Sequence, residues 1–394
     1  MLGKMGFENV AEPPVSGAAG QQLTLHQRYK DQFPVTEHLI YLNHAAVAPL
    51  CRRASEAMKR LADDACAYGS LHYADWLAAY DGLRDSAARL IGAHPAEIAI
   101  VKNTSEGIAT VAGGLGWRNG DRVVAFREEF PANYYPWLRL EARGVQLTWL
   151  SIYDDLETIE RAVKGARLLA ISFVNYLSGY RVDLKSIGEI CRRHECFFFV
   201  DAIQGLGVLP LDVEECRIDA LAADGHKWMV GPEGNGILYV RRARWDEIEP
   251  VEFGWTNSAS FNDYSSRDMT LRDNAGRYEC GTLNTIGCFG QHAALELLLE
   301  IGIDQIASAV LALTDQIAQG LRQRGYELMR APTPETASGI VTFRHPRLDA
   351  GEIVAGLRQK HITAAPRQGW IRVSPHFYIT PESVDEFLHA LPKA

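Results

Sequence analysis

The chain has 394 residues, 47% of them hydrophobic and 23% charged, with 34 glycines and 17 prolines. That hydrophobic share excludes a disordered or collagen-like protein, and the length accommodates two or three domains with well-buried cores. Forty basic against 49 acidic residues give a formal charge of −9; without a long Lys/Arg run this argues against nucleic acid or an anionic membrane as partner, but not against a local cationic pocket.

In chain order, the first 25 residues carry Glu8, Glu12 and two prolines and lack the apolar centre of a signal peptide, so residues 1–40 read as a loose N-terminal arm. No window approaches 18 uninterrupted apolar residues, which predicts no membrane span. From there short apolar runs alternate with longer amphipathic ones. Strands are predicted at Glu97–Val101, Arg122–Phe126, Gln146–Leu150, Leu168–Val174, Phe197–Val200, Ala220–Ala222 and Gly236–Val240. Helices are predicted between them at Ser105–Leu115, Pro136–Ala142, Leu156–Val163 and Leu184–His194. Such alternation implies βαβ units and a mainly parallel sheet, whose ligands gather at the carboxyl ends of the strands. Farther on, helices are predicted at Thr285–Glu300, Asp304–Gly325, Gly351–Lys360 and Pro381–Leu391, with strands at Gly339–Phe343 and Trp370–Ser374. The expected organisation is α/β: a large domain over residues 41–284 and a smaller α+β domain over 285–394.

Seven cysteines (Cys51, Cys66, Cys191, Cys196, Cys216, Cys280 and Cys288) are an odd, sparse set, better suited to reduced thiols of a cytoplasmic protein than to a disulfide framework. Cys191 and Cys196 have metal-like spacing but no second ligand pair, so no metal is expected. Two glycine-rich stretches, Gly231–Gly236 and Gly113–Gly116, lack the flanking context of a phosphate loop or a dinucleotide fingerprint and read as turns.

The segment Phe197–Val240 carries the chemistry. A buried strand delivers Asp201 at its carboxyl end, and a second short strand delivers Asp224-Gly225-His226-Lys227. A lysine forms a Schiff base with an aldehyde cofactor, and a carboxylate keeps a pyridine nitrogen protonated. Taken singly, the two residues would read as a solvated lysine and a helix cap. Lys102–Gly107 follows a strand and opens a helix, where backbone amides and the hydroxyls of Thr104 and Ser105 form an anion site; Thr104 as a plain cap is the alternative.

From about Tyr41 to Phe387 the sequence resembles the class V aminotransferases, fold-type-I enzymes dependent on pyridoxal 5′-phosphate (PLP), above all the branch of cysteine desulfurases and isopenicillin N epimerase-like proteins. The strongest likeness is VDAIQ…DGHKW…GPEGNGILYV. The resemblance implies Lys227 as the Schiff-base lysine, Asp201 as partner of the pyridine nitrogen, and His226 near the phosphate. Gln204 and Asn175 would reach the phenolic oxygen, and Thr104 and Ser105 the phosphate. Phe130, where desulfurases typically carry histidine, would stack on the ring. Asn43 and His44 would lie on the substrate side, and Arg372 would hold the substrate carboxylate with its two-pronged guanidinium. Thr282 would reach the phosphate of a neighbouring subunit, which implies a homodimer with shared active sites.

Two departures stand out. Asp224 occupies a position where many relatives place a phosphate-binding hydroxyl, and an ionised carboxylate would repel the dianion. Thr363–Arg372, where desulfurases carry their nucleophilic cysteine, contains none, and no cysteine follows Cys288. The resemblance therefore implies a PLP enzyme acting on an amino acid, with transamination as the first reading and epimerisation or C–S/β-elimination without a persulfide cysteine as alternatives. A non-catalytic binding relative would be indicated by loss of Lys227, Asp201 or Arg372, and all three are present.

Overall fold

The computed structural model describes residues 23–393; the first 22 residues of the predicted arm lie outside them. Seven strands form the central sheet: β1 (Ile98–Val101), β2 (Arg122–Phe126), β3 (Gln146–Leu150), β4 (Leu168–Ser172), β5 (Phe197–Asp201), β6 (Ala220–Asp224) and β7 (Gly236–Val240). Their spatial order is β1-β7-β6-β5-β4-β2-β3. Only β7 is reversed, antiparallel to both β1 and β6, while the other neighbours are parallel. The cause is local. Residues 225–235 between β6 and β7 are too few and too rich in glycine for a crossover helix, so the chain returns in the opposite sense.

Every residue of β1, β5, β6 and β7 is buried. Alternate side chains feed two separate cores: Phe198 and Val200 enter one, Phe197 and Phe199 the other. A sheet covered on both faces explains the near-continuous apolar strands of the sequence. On one face lies the helix Thr104–Gly114 with Ile108 and Val111 inward; on the other, Leu184–Arg193 contributes Ile187 and Ile190. The predicted strand to Val174 ends at Ser172, and Val174 forms an isolated bridge to Arg181.

The C-terminal unit contains β8 (Glu327–Leu328), β9 (Val341–Arg344), β10 (Ala365–Arg367) and β11 (Trp370–Val373), antiparallel in the order β10-β11-β9-β8. The helices Ile303–Gln323, Ala350–Gln359 and Pro381–Ala390 accompany it. The helix Thr285–Ile301 packs instead against Arg52–Tyr68 and Tyr73–Ile91, two helices with no counterpart in the sequence prediction. No single helix among the described residues is long and apolar enough to cross a membrane.

Near the start of the chain, Ile40–Tyr41 pairs in parallel with Ile362–Thr363, and Asn43 bridges to Ser374. The loop after it is thereby carried from the C-terminal unit onto the large sheet. There the Ala48 amide donates to the His226 carbonyl at 2.7 Å, and Gln204 Nε2 donates to the Ala45 carbonyl at 3.0 Å.

Candidate active site

The site gathers at the carboxyl ends of β5 and β6. Asp201, the last residue of β5, is 3% exposed and accepts a hydrogen bond from the Ile203 amide at 3.1 Å. Burial pushes its carboxyl up to about 6, while the Ile203 amide and the Lys227 charge pull the other way. Lys227 stands three residues beyond the end of β6. Burial brings its amine down to about 8; Asp201 opposes the shift, and the cations Arg372 and Arg367 assist it.

The loop that presents Lys227 is tightly held. Gly225 donates to the Asn235 carbonyl at 2.9 Å and Gly231 to the Gly225 carbonyl at 3.0 Å. A β-carbon on either glycine would fall within 2.0 Å of Gln291 Oε1, so a larger residue would force Gln291 to shift, and at Gly225 would also crowd the Asn235 carbonyl at 2.8 Å. Val230, fully buried, adopts φ +48°, a left-handed conformation that a β-branched residue takes only under external constraint.

Arg372, on β11, is 2% exposed. Its Nη1 donates to the Tyr176 carbonyl at 2.6 Å, but its Nε is buried without a partner. Burial, aided by the charge of Arg367, pulls the guanidinium down to about 10. No carboxylate within 4.0 Å pairs with it among the described residues. Phe130 is 46% exposed; its ring centroid lies 5.8 Å from Lys227 Nζ and meets the Tyr176 ring edge-on at 5.2 Å. An amine, a buried carboxylate, a flat ring and an unsatisfied guanidinium thus share one region.

The family model for class-V aminotransferases matches residues 40–387. The chain belongs to that family. A probable cysteine desulfurase of Pyrococcus abyssi is 30% identical over 386 residues, covering 92% of this chain and 96% of that protein. An uncharacterised aminotransferase of Bacillus subtilis, YcbU, is 31% identical, covering 93% of this chain and 96% of its own. Among solved structures, the apo cysteine desulfurase of Thermococcus onnurineus NA1 superposes with a TM-score of 0.86 at 27% identity, covering 94% of this chain and 98% of that one.

The cofactor of class-V aminotransferases is PLP, and the residues present fit it. At the N-terminus of the helix Thr104–Gly114, Thr104 Oγ1 is buried without a partner, an orphan suited to a phosphate oxygen. Ser105 beside it is exposed, and Asn103 caps the helix by accepting the Glu106 amide at 2.9 Å. Gln204 spends its oxygen on the Trp228 indole and one amide hydrogen on Ala45; the other hydrogen is unspent. Asn175 likewise donates once, to the Glu128 carbonyl at 2.7 Å, while its oxygen organises the turn to Ser178. Asp224 Oδ1 lies 3.1 Å from His226 Nδ1, without hydrogen-bond alignment. The carboxylate that could not serve a phosphate therefore faces the neighbouring imidazole.

His44 lies in the loop that joins the C-terminal unit to the large sheet. It is fully buried; Nδ1 meets the Ser374 carbonyl at 2.8 Å and Nε2 the Tyr378 hydroxyl. Both ring nitrogens thus have partners, and His44 secures the loop. Asn43 next to it retains a buried, unpartnered Oδ1. Thr282 is exposed in the segment before Thr285–Ile301. Cys191 and Cys196 are buried, all seven cysteines are free, and no cluster of three or more metal-ligating side chains occurs among the described residues.

Sequence reasoning passed over Glu129. It is 7% exposed, accepts the Ser172 amide at 2.6 Å and the Ser172 hydroxyl, and is lifted to about 8 by burial and by the charge of Asp201. The connection arises because Ser172 on β4 is in register with Asp201 on β5. An acidic residue beside the predicted stacking ring was the available signal.

Proposed function

We propose that this protein is a PLP-dependent enzyme acting on an amino acid, with transamination as its reaction. The observation that carries the reading is the buried, unsatisfied Nε of Arg372 on a guanidinium whose charge is felt by Lys227. When bound, PLP supplies an electron-accepting ring that makes the substrate Cα–H acidic. Arg372 binds and orients the α-carboxylate. Lys227, half neutral near pH 8, holds the cofactor and then moves the Cα proton at Nζ. With PLP bound, Asp201 would hold a proton at the pyridine nitrogen, Phe130 would offer a flat face to the ring, and Gln204 and Asn175 would each have an amide hydrogen free for the phenolic oxygen. Thr104, Ser105, the helix N-terminus and His226 would hold the phosphate, joined by Thr282 of a second copy in a homodimer. Exposed Phe253, Trp255 and Tyr264 on the segment leading to Thr282 favour such an assembly.

A second reading, elimination at a C–S or similar bond, is favoured by the relatives named desulfurases. Thr363–Arg372 holds no thiol to take up sulfur, so that route would run without a protein persulfide. Product analysis of the PLP-loaded enzyme with a panel of amino acids decides. Oxo acid without ammonia selects transamination, oxo acid with equimolar ammonia selects elimination, and inversion at Cα selects epimerisation. Borohydride should fix PLP onto Lys227; a Lys227→Ala variant that still fixes it overturns the proposal. Sedimentation as a fully active monomer overturns the dimer.

A further inference from the structure

The hairpin β10–β11 carries a second cation that the proposed chemistry leaves unused. Its two-residue turn, Gln368-Gly369, has φ +51° and +79°, the left-handed pair that matches the twist of a tight hairpin. That turn fixes the register: Arg367 opposes Trp370, and Ala365 opposes Arg372. Directly opposed residues share a face, as do residues two apart on a strand, so Arg367 and Arg372 project from the same side. The face runs from buried at Ala365 and Arg372 to exposed at Arg367.

Both ends of the hairpin are tied to Tyr176. Arg372 donates to its carbonyl, and Gln368 Nε2 donates to its hydroxyl at 3.1 Å. Tyr176 in turn meets Phe130, the ring beside Lys227. Arg367 therefore stands at the outer end of the same wall, and its charge reaches both Arg372 and Lys227. The carboxylate across this sheet, Glu327, is already engaged: Arg344 grips it with two hydrogen bonds of 2.7 and 2.9 Å and lies 4.5 Å over the Trp370 ring. Among the described residues, Arg367 has no carboxylate partner; its guanidinium donates only to the Pro366 carbonyl.

We propose that Arg367 receives a carboxylate at the far end of the substrate, making a dicarboxylic amino acid the preferred class. With Arg372 holding the α-carboxylate, the two guanidiniums on one hairpin face measure the substrate from end to end. The proposal rests on Arg372 having that role, and the test separates the two claims.

Equilibrium absorbance titrations of the PLP-loaded enzyme compare aspartate and glutamate with asparagine and glutamine, and with cysteate as a sulfonate of matching length. Wild type should bind one acidic amino acid at least about tenfold more tightly than its amide, with the preference shrinking as salt rises. Arg367→Gln should erase that ratio and Arg367→Glu should reverse it; the residue is exposed, so neither variant threatens folding. Equal affinity for acid and amide in wild type, or a ratio unmoved in both variants, overturns the proposal while leaving Arg372 in its role. Tighter binding of cysteate than of either dicarboxylate overturns the choice of carboxylate as the distal group. A wild-type enzyme whose spectrum responds to no amino acid overturns the role of Arg372 as well.

Discussion

Arg372 spends one guanidinium hydrogen on the Tyr176 carbonyl, 2.6 Å away, and keeps its Nε buried and unpartnered. An isolated cation in the interior is costly, and the bond to a neutral carbonyl offsets little of that cost. A carboxylate arriving from solvent would satisfy both the charge and the Nε. Lysine cannot offer two parallel donors, so Arg372→Lys should lower kcat/KM by about 100-fold or more. A loss below about threefold would show that the carboxylate is held elsewhere.

Lys227 and Asp201 make the pH dependence of cofactor uptake a probe of the site. Covalent capture of PLP requires a neutral amine, and burial sets the Lys227 amine near 8 rather than at its ordinary 10.5. The uptake rate of the apoprotein should therefore climb through about pH 8, not through 10. Asp201→Asn removes a negative charge that favours the ammonium, so the profile should move to lower pH. Arg372→Gln removes a positive charge that disfavours it, so the profile should move to higher pH. Borohydride-trapped PLP, measured over time at each pH, reads all three. Shifts of the same sign in both variants would refute the electrostatic account.

The readable parts of this site are those whose neighbours in sequence are also their neighbours in space. Asp201 and Lys227 are signalled by apolar strands that stop abruptly, and Thr104 by a helix opening straight after a buried strand. The helices Arg52–Tyr68 and Tyr73–Ile91 precede the strand–helix alternation that guided the reading; the first buries only Ala54, Ala57 and Leu61, whereas the second buries Tyr80, Leu83, Leu90 and Ile91 beside its alanines and was legible in principle. The burial of His44 was not legible because what buries it, Trp228, His376 and Tyr378, arrives from distant parts of the chain. The raised carboxyl of Glu129 depends on strand register, and the side on which Arg367 projects depends on the length of one turn. Neither is encoded in a local pattern.

The lysine loop offers a test of packing that is separable from chemistry. The three atoms nearest to a β-carbon at Gly231 all belong to Gln291, with Oε1 at 2.0 Å, and Gln291 has neither side-chain polar atom hydrogen-bonded. Gly231→Ala should cost about 1–3 kcal/mol in stability and slow PLP capture, because the loop must move to relieve the overlap. Adding Gln291→Ala removes the opposing atoms, and the double variant should recover most of both losses. Thermal unfolding and borohydride trapping on the two single variants and the double variant complete the cycle. Additive losses would mean that the glycine serves the backbone rather than the contact.

Behind the site, His376 donates through Nε2 to the Trp228 carbonyl at 3.1 Å, fully buried, and stacks with Tyr378 while His44 meets it edge-on. Burial holds its imidazole down near 4, and the neighbouring His44 is lowered in the same direction by burial and by His376. The unfolded chain takes up these protons near pH 6.5, whereas the folded chain does not. Stability is therefore fully present above about 6.5 and is lost as the pH falls towards 4, by on the order of 3 kcal/mol for His376 alone. His376→Gln keeps a donor for the Trp228 carbonyl without a proton to gain. Its urea-unfolding free energy should decline less steeply than that of wild type between pH 6.5 and 4.5. An equally steep decline in the variant would assign the acid sensitivity to other groups.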